Sequence, residues 1–297
     1  MADHRITPRL ASRTVLALGL AAAAAALCAF EWPLEGGQPS LYFGSADEGR
    51  FATSMTFASE DGLVKASDDG ELAFVCDSGI ASKLPSTIGS YIVVEHPRGM
   101  AGVYSGMAPG SPSSYLRSIR KGSILGRAGS SGMAKGPSLG FALFDRAAGR
   151  WVNPLLLLPP LADKTPPVIR SAMLVKDGKR LPLGETKSVP QGQYSIAVDV
   201  ADPLEAPGNP GTSAPYYLRL LIDGTKVTEL SFDVVTARDG KFLVGADGPR
   251  GFEGCYAEDG RIVLASRFFS RGRAVIQVLA RDYAGNERQA SWALLVE

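Results

Sequence analysis

Leu139-Gly140-Phe141-Ala142-Leu143-Phe144, residues 139–144, is a short apolar run with two aromatic side chains, bounded by Pro137 on one side and Asp145 on the other. So brief a run, closed by turn-forming residues, reads as a strand, because a packed helix needs roughly ten residues or more. The same text recurs outward from it. Gly62-Leu63-Val64-Lys65-Ala66, Glu71-Leu72-Ala73-Phe74-Val75, Tyr91-Ile92-Val93-Val94-Glu95 and Ser123-Ile124-Leu125-Gly126 are further short apolar runs among glycines and polar turns. Ser113 to Arg120 is the one stretch here expected to form a short helix. Residues 32–158 are therefore expected to be mainly β.

Beyond this half, Thr165-Pro166-Pro167 interrupts the pattern, since paired prolines fix the backbone and remove two amide donors. The boundary is placed there, with residues 161–167 as a Pro-rich linker. Seven alternating segments follow: Val168–Val175, Tyr194–Val200, Tyr217–Ile222, Val227–Val235, Arg261–Arg267, Ala274–Ala280 and Ala290–Val296. Asp177-Gly178, Asp223-Gly224, Asp239-Gly240 and Asp259-Gly260 supply turns. That spacing suits a β-sandwich over residues 168–297. The closing Ala280-Arg281-Asp282-Tyr283-Ala284-Gly285-Asn286 resembles the last hairpin of bacterial immunoglobulin-like modules, in which the Asp and Gly-Asn serve the turn.

The formal charge of the 297-residue chain is +1, and the first 29 residues hold Arg5, Arg9 and Arg13 against Asp3. The leader's share is +2, so the remainder stands at −1, too little positive charge for a nucleic-acid surface. The apolar run Val15–Phe30 after Arg13 reads as an export signal, with a cut after Ala29 expected; retention as an anchor is the alternative. Cys28 is either acylated as a lipid anchor or discarded with the signal. A membrane is a partner only through that leader or Cys28. Cys76 and Cys255 fall in different expected domains, and cysteine metal clusters are excluded by their number.

The first half resembles the LytM or lysostaphin-type zinc endopeptidases that cut peptidoglycan cross-links. The landmarks occur in the family's order: Phe30-Glu31-Trp32-Pro33-Leu34 with Phe43-Gly44, then Asp61–Gly70, then Tyr91-Ile92-Val93-Val94-Glu95-His96, then Lys121–Gly132, and last Val152-Asn153-Pro154. The resemblance implies an all-β chain: an N-terminal lysostaphin-like antiparallel β domain of the duplicated hybrid motif type over residues 30–160, then the immunoglobulin-like β-sandwich.

The family's chemistry maps onto unsuitable residues. Its zinc-binding His and Asp fall on Ala52 and Thr56; its H-x-H pair, catalytic then zinc-binding, falls on Ser138 and Gly140; a further catalytic His falls on Gly106. A catalytic zinc needs about three protein ligands and an open position for water. Only His4 and His96 occur in the chain, and His4 lies in the leader. His96 corresponds to no family ligand and is expected to be structural. No G-x-S-x-G elbow supports a serine nucleophile, and Glu60-Asp61 and Asp68-Asp69 read as solvated turns. The expectation is a non-catalytic envelope protein without a cofactor, whose groove, rimmed by Phe51, Met55, Tyr104 and Ser138, binds peptidoglycan or a cell-wall hydrolase. The alternatives are an active zinc endopeptidase and a surface scaffold acting through the immunoglobulin-like domain.

Overall fold

The computed structural model describes residues 30–47, 50–60, 62–80, 86–115, 117–160, 163–203, 212–213, 215–257 and 259–297. The expected leader and Cys28 lie outside them. Among the described residues there are strands and three single-turn 3₁₀ segments, with no α-helix, and no helix is long and apolar enough to cross a membrane.

The strand Ser138–Asp145 is the hub of an 11-stranded sheet. One edge pairs with Met100–Met107, which leads to Ser90–His96, Gly70–Cys76 and Ser118–Ile119. The other edge is shared, its first half pairing with Met55–Ala58 and its last three residues with Arg150–Val152. Leu63–Lys65 and Ile124–Arg127 form a separate two-stranded ribbon whose Val64 and Leu125 enter the same core as Phe57, Ile92, Leu139 and Phe141. Each such buried side chain contributes on the order of 2 kcal/mol through loss of apolar surface.

The segment Ser113–Arg120 is not helical. Ser118 and Ile119 pair with Glu71 and Gly70, burying Ile119, while Tyr115, four residues back and on the same face of any helix, is 82 % exposed. Tertiary pairing at the sheet edge overrides the local spacing.

The second half supplies two five-stranded sheets around one core. Lys179–Pro182, Val168–Lys176, Gly192–Pro203, Thr212–Ser213 and Ile262–Phe269 form one; Ser188–Val189, Glu287–Val296, Gly272–Arg281, Tyr217–Ile222 and Thr225–Ser231 form the other. Leu174, Ile196, Val198, Leu218, Ile276 and Val278 meet between them. Three Asp-Gly turns have both residues at positive φ, at Asp177, Asp223 and Asp239, the geometry a two-residue hairpin requires.

The single expected strand Val227–Val235 is divided. Thr225–Ser231 stays in the sandwich, while Val234–Arg238 leaves it, pairs with Arg150–Val152, and carries Lys241–Val244 and Arg250–Gly251 onto the edge of the 11-stranded sheet. The break falls at Phe232-Asp233, where Asp233 Oδ1 accepts the backbone N–H groups of Val234 and Ala246. Residues 234–251 thus belong to the sheet of the first half. Cys76 and Cys255 are both free thiols, and burial pushes Cys255 up to about 11.

Candidate functional site

Three adjacent strands carry four of the five positions that the resemblance marks, Thr56, Gly106, Ser138 and Gly140, while Ala52 lies in the loop before the first of them. Gly140 lies opposite Thr56 on one neighbour and Ser105 on the other; Ser138 lies opposite Ala58. Directly opposed residues of antiparallel strands share a face. Thr56, Ser105, Ser138 and Gly140 therefore stand together on one side of the sheet. The Ser105 hydroxyl donates to the Gly140 carbonyl at 3.3 Å, and a Cβ added at Gly140 would come within 2.4 Å of Ser105 Oγ. Ser138 turns its hydroxyl back onto the Gly136 carbonyl at 3.1 Å.

The alternating residues Met55, Phe57, Tyr104, Leu139 and Phe141 point to the opposite side and are fully buried. Met55 and Tyr104 consequently do not rim a groove with Ser138. The two-residue period of a strand assigns them to the core, with Tyr104 tilted against Phe141 at 5.1 Å. Phe51 does not rim it either. Its ring meets Phe43 at 6.1 Å and Phe252, from the second half, at 5.2 Å. Nearby, the Tyr256 hydroxyl donates to the Gly44 carbonyl at 2.5 Å, so the segment before Ala52 is held against the second half.

Ala52 is fixed through its backbone alone, its N–H donating to Ser45 O and its carbonyl accepting from Gly44 N. Gly106 has φ +74°, a left-handed conformation that any side chain would strain.

His96 is enclosed on the core side. Its Nδ1 is 2.9 Å from the Asp69 carbonyl, which can only accept, so Nδ1 carries the proton and Nε2 accepts from the Tyr104 hydroxyl at 3.3 Å. The same phenolic oxygen accepts the Ser67 N–H at 2.9 Å. Phe30 packs edge-on to the imidazole at 5.2 Å, and a methyl at Gly102 would approach Nε2 to 2.7 Å. Burial lowers the His96 pKa and pushes Tyr104 up to about 12. With both ring nitrogens engaged and the ring on the far face, His96 is not placed to deprotonate Ser105 or Ser138. Asp69, read from the sequence as a solvated turn residue, is exposed in a bend, where its carboxylate accepts the Lys121 N–H at 2.8 Å.

A depression of about 630 Å³ opens beside this histidine, bounded by Asp69, Glu71, Glu95, Ser118 and Arg120, and includes none of positions 52, 56, 106, 138 and 140.

The sequence model described as peptidase family M23 matches residues 50–154. Residues 50–154 are an M23 peptidase-family domain. A second family model matches residues 166–297, and no curated protein matches the chain. Solved structures similar to the chain include a point mutant of the catalytic domain of the prophage-encoded M23 protein EnpA from Enterococcus faecalis, 23% identical over 40% of this chain and 88% of that one, with a TM-score of 0.33. The catalytic domain of lysostaphin from Staphylococcus simulans is 18% identical over 38% of this chain and 83% of its own, TM-score 0.32. The SpoIIQ–SpoIIIAH pore-forming complex gives 18% over 46% and 94%, TM-score 0.37.

The zinc that such a domain implies does not fit the residues of the M23 face. Ala52 and Gly140 have no donor atom, Thr56 offers a neutral hydroxyl, and the Ser105 hydroxyl occupies the approach to position 140. What the face presents is hydroxyl groups and glycine backbone, a surface for hydrogen bonding.

Sequence reasoning missed Ser105: no strand was expected over Met100–Met107, and the observed register alone sets Ser105 opposite Gly140.

Proposed function

We propose that this is an exported cell-envelope protein whose M23 domain is non-catalytic and binds peptidoglycan or a cell-wall hydrolase. The observation that carries this reading is the juxtaposition of Thr56, Ser105, Ser138 and Gly140 across three strands. A metalloendopeptidase would gather nitrogen and carboxylate donors at such a place; here three hydroxyl-bearing side chains and a glycine face outward. Without a Lewis acid or a free base there is nothing to bring a water's pKa toward neutrality. Hydroxyl groups, which both donate and accept hydrogen bonds, do suit the amide-rich stem peptides of the wall.

The deciding experiment incubates the purified protein with sacculi, with and without added zinc, and scores both sedimentation and released muropeptides. Co-sedimentation without release in either condition is the expected result. Zinc-dependent release of muropeptides would establish the active peptidase instead.

A further inference from the structure

Where the first half joins the second, three carboxylates converge. Asp163 follows the M23 domain, Asp202 ends the strand Gly192–Pro203, and Asp282 follows Gly272–Arg281, with one oxygen of each lying within 4.8 Å of the other two. Asp202 is 0 % exposed and Asp282 1 %. Both oxygens of Asp202 and Oδ2 of Asp163 are buried without a hydrogen-bond partner among the described residues. Nor does any lysine or arginine among them pair with the three acids.

An unpartnered buried carboxylate beside two others is unfavourable on two counts, desolvation and like-charge repulsion. The chain nevertheless holds the group in place. Asp282 receives the Asn286 N–H and side-chain amide, each at 2.8 Å, and that amide also reaches the Asp163 carbonyl at 3.3 Å. Asp163 Oδ1 accepts the Thr165 N–H at 2.8 Å. These bonds orient Asp163 and Asp282 while leaving Asp163 Oδ2 and both oxygens of Asp202 directed into the cluster.

We infer that Asp163, Asp202 and Asp282 bind a hard divalent cation, Ca²⁺, at the junction of the two halves. Two ligands of one ion stand at most two bond lengths apart, about 4.8 Å for Ca–O bonds of about 2.4 Å, and these oxygens meet that limit. An all-oxygen, three-carboxylate set suits a hard cation such as calcium, whereas zinc sites combine carboxylate with nitrogen or sulfur donors, and none of those is in this cluster. The ion supplies the positive charge that the surroundings withhold; lacking it, burial and the neighbouring Asp282 and Asp163 push Asp202 up to about 7. This site is separate from the M23 face and does not depend on its function.

The test is calorimetric titration of the chelator-treated, purified protein with CaCl₂, together with thermal unfolding with and without 10 mM calcium. One calcium per chain is expected, with a dissociation constant on the order of 10⁻⁴ M, as in other extracellular oxygen sites, and a midpoint rise of about 5 °C. Asp202→Asn, nearly isosteric, abolishes both effects while its calcium-free midpoint stays at or above the parent's, because a buried charge has been removed. Asp163→Asn, at the partly exposed linker position, weakens binding at least tenfold. Absence of any calcium heat and of any midpoint shift in the parent, or undiminished binding by Asp202→Asn, would overturn the assignment.

Discussion

The side-chain amide of Asn153 donates to the backbone carbonyl of Phe232 at 2.9 Å, across 79 residues of chain. Asn153 closes the M23 landmark Val152-Asn153-Pro154, and its amide also reaches the Tyr283 hydroxyl, while its Oδ1 accepts the Leu155 N–H at 3.0 Å. A motif that ends one half therefore binds two segments of the other. Because Asn153 is fully buried, Asn153→Ala strands the Leu155 amide away from water and leaves the Phe232 carbonyl with the Tyr283 hydroxyl, at 3.0 Å, as its remaining side-chain donor. A loss of about 2–4 kcal/mol is expected in chemical denaturation, with the transition remaining cooperative. A change below about 0.5 kcal/mol would mean that the bond is not maintained in solution.

Removing the phenolic oxygen in Tyr104→Phe leaves His96 Nε2 without its donor and Ser67 N–H without its acceptor. Both lie in the core, so the expected cost is about 1–3 kcal/mol, with little change in shape. Denaturant midpoints of parent and variant measure it directly.

His96 also makes stability depend on pH. Burial, the larger effect, lowers its folded-state pKa from 6.5, against smaller opposing contributions from Asp69 and Asp68. The unfolded chain then takes up the proton first. Its contribution is present above about pH 6.5 and declines as pH falls through that value. Thermal scans between about pH 7.5 and pH 5 should show a shallower acid-side loss in His96→Gln than in the parent. Parallel curves for the two proteins would refute this sign.

Gly106→Ala forces a Cβ onto a left-handed residue at φ +74°. The nearest atom, Ser138 O at 3.4 Å, leaves room, so the penalty is conformational, about 1–2 kcal/mol. Gly106→His should cost at least as much, which measures how far this backbone has departed from one that carries a side chain there. A neutral result for both would show that the turn relaxes freely.

Deleting residues 165–297 should not release a well-behaved M23 domain. It strips Val234–Arg238 from the edge of Arg150–Val152 and uncovers Trp151 and Phe51, both packed against the second core. A bare edge beside apolar side chains invites association, so light scattering after size exclusion is expected to report oligomers or aggregate. A monodisperse, zinc-independent, sacculus-binding fragment would disprove this dependence. Partner mapping is better served by substitutions on the M23 face, such as Ser105→Arg, than by truncation.

Much of the fold was legible because strand text is local. Tyr91–Glu95 and Leu139–Phe144 lie within the observed strands, and three of the Asp-Gly pairs are hairpin turns. What escaped was decided by distant partners. Ser118–Ile119 becomes a strand because Gly70 and Glu71 present an open edge, and Val234–Arg238 leaves the sandwich because Arg150–Val152 offers another. At the site, the order of landmarks located Thr56 and Gly140, and the register sets them side by side. Placing Met55 and Tyr104 in the same groove neglected the alternation of the strands that carry them. Asp202 gave no sign in one dimension: an aspartate at a strand end beside Pro203 looks like any turn, and only three-dimensional convergence with Asp163 and Asp282 distinguishes it.

The hand-over of residues 234–251 also fixes an order of events during biosynthesis. Whatever emerges first from the ribosome or a translocon, the M23 sheet has an unfinished margin until its last strands arrive from far downstream, and contacts so remote in the chain form slowly. The nascent first half is thus an obligate client of its own C-terminal sequence, and a chain stalled before Phe232 would be a target for proteases and chaperones rather than a smaller working protein.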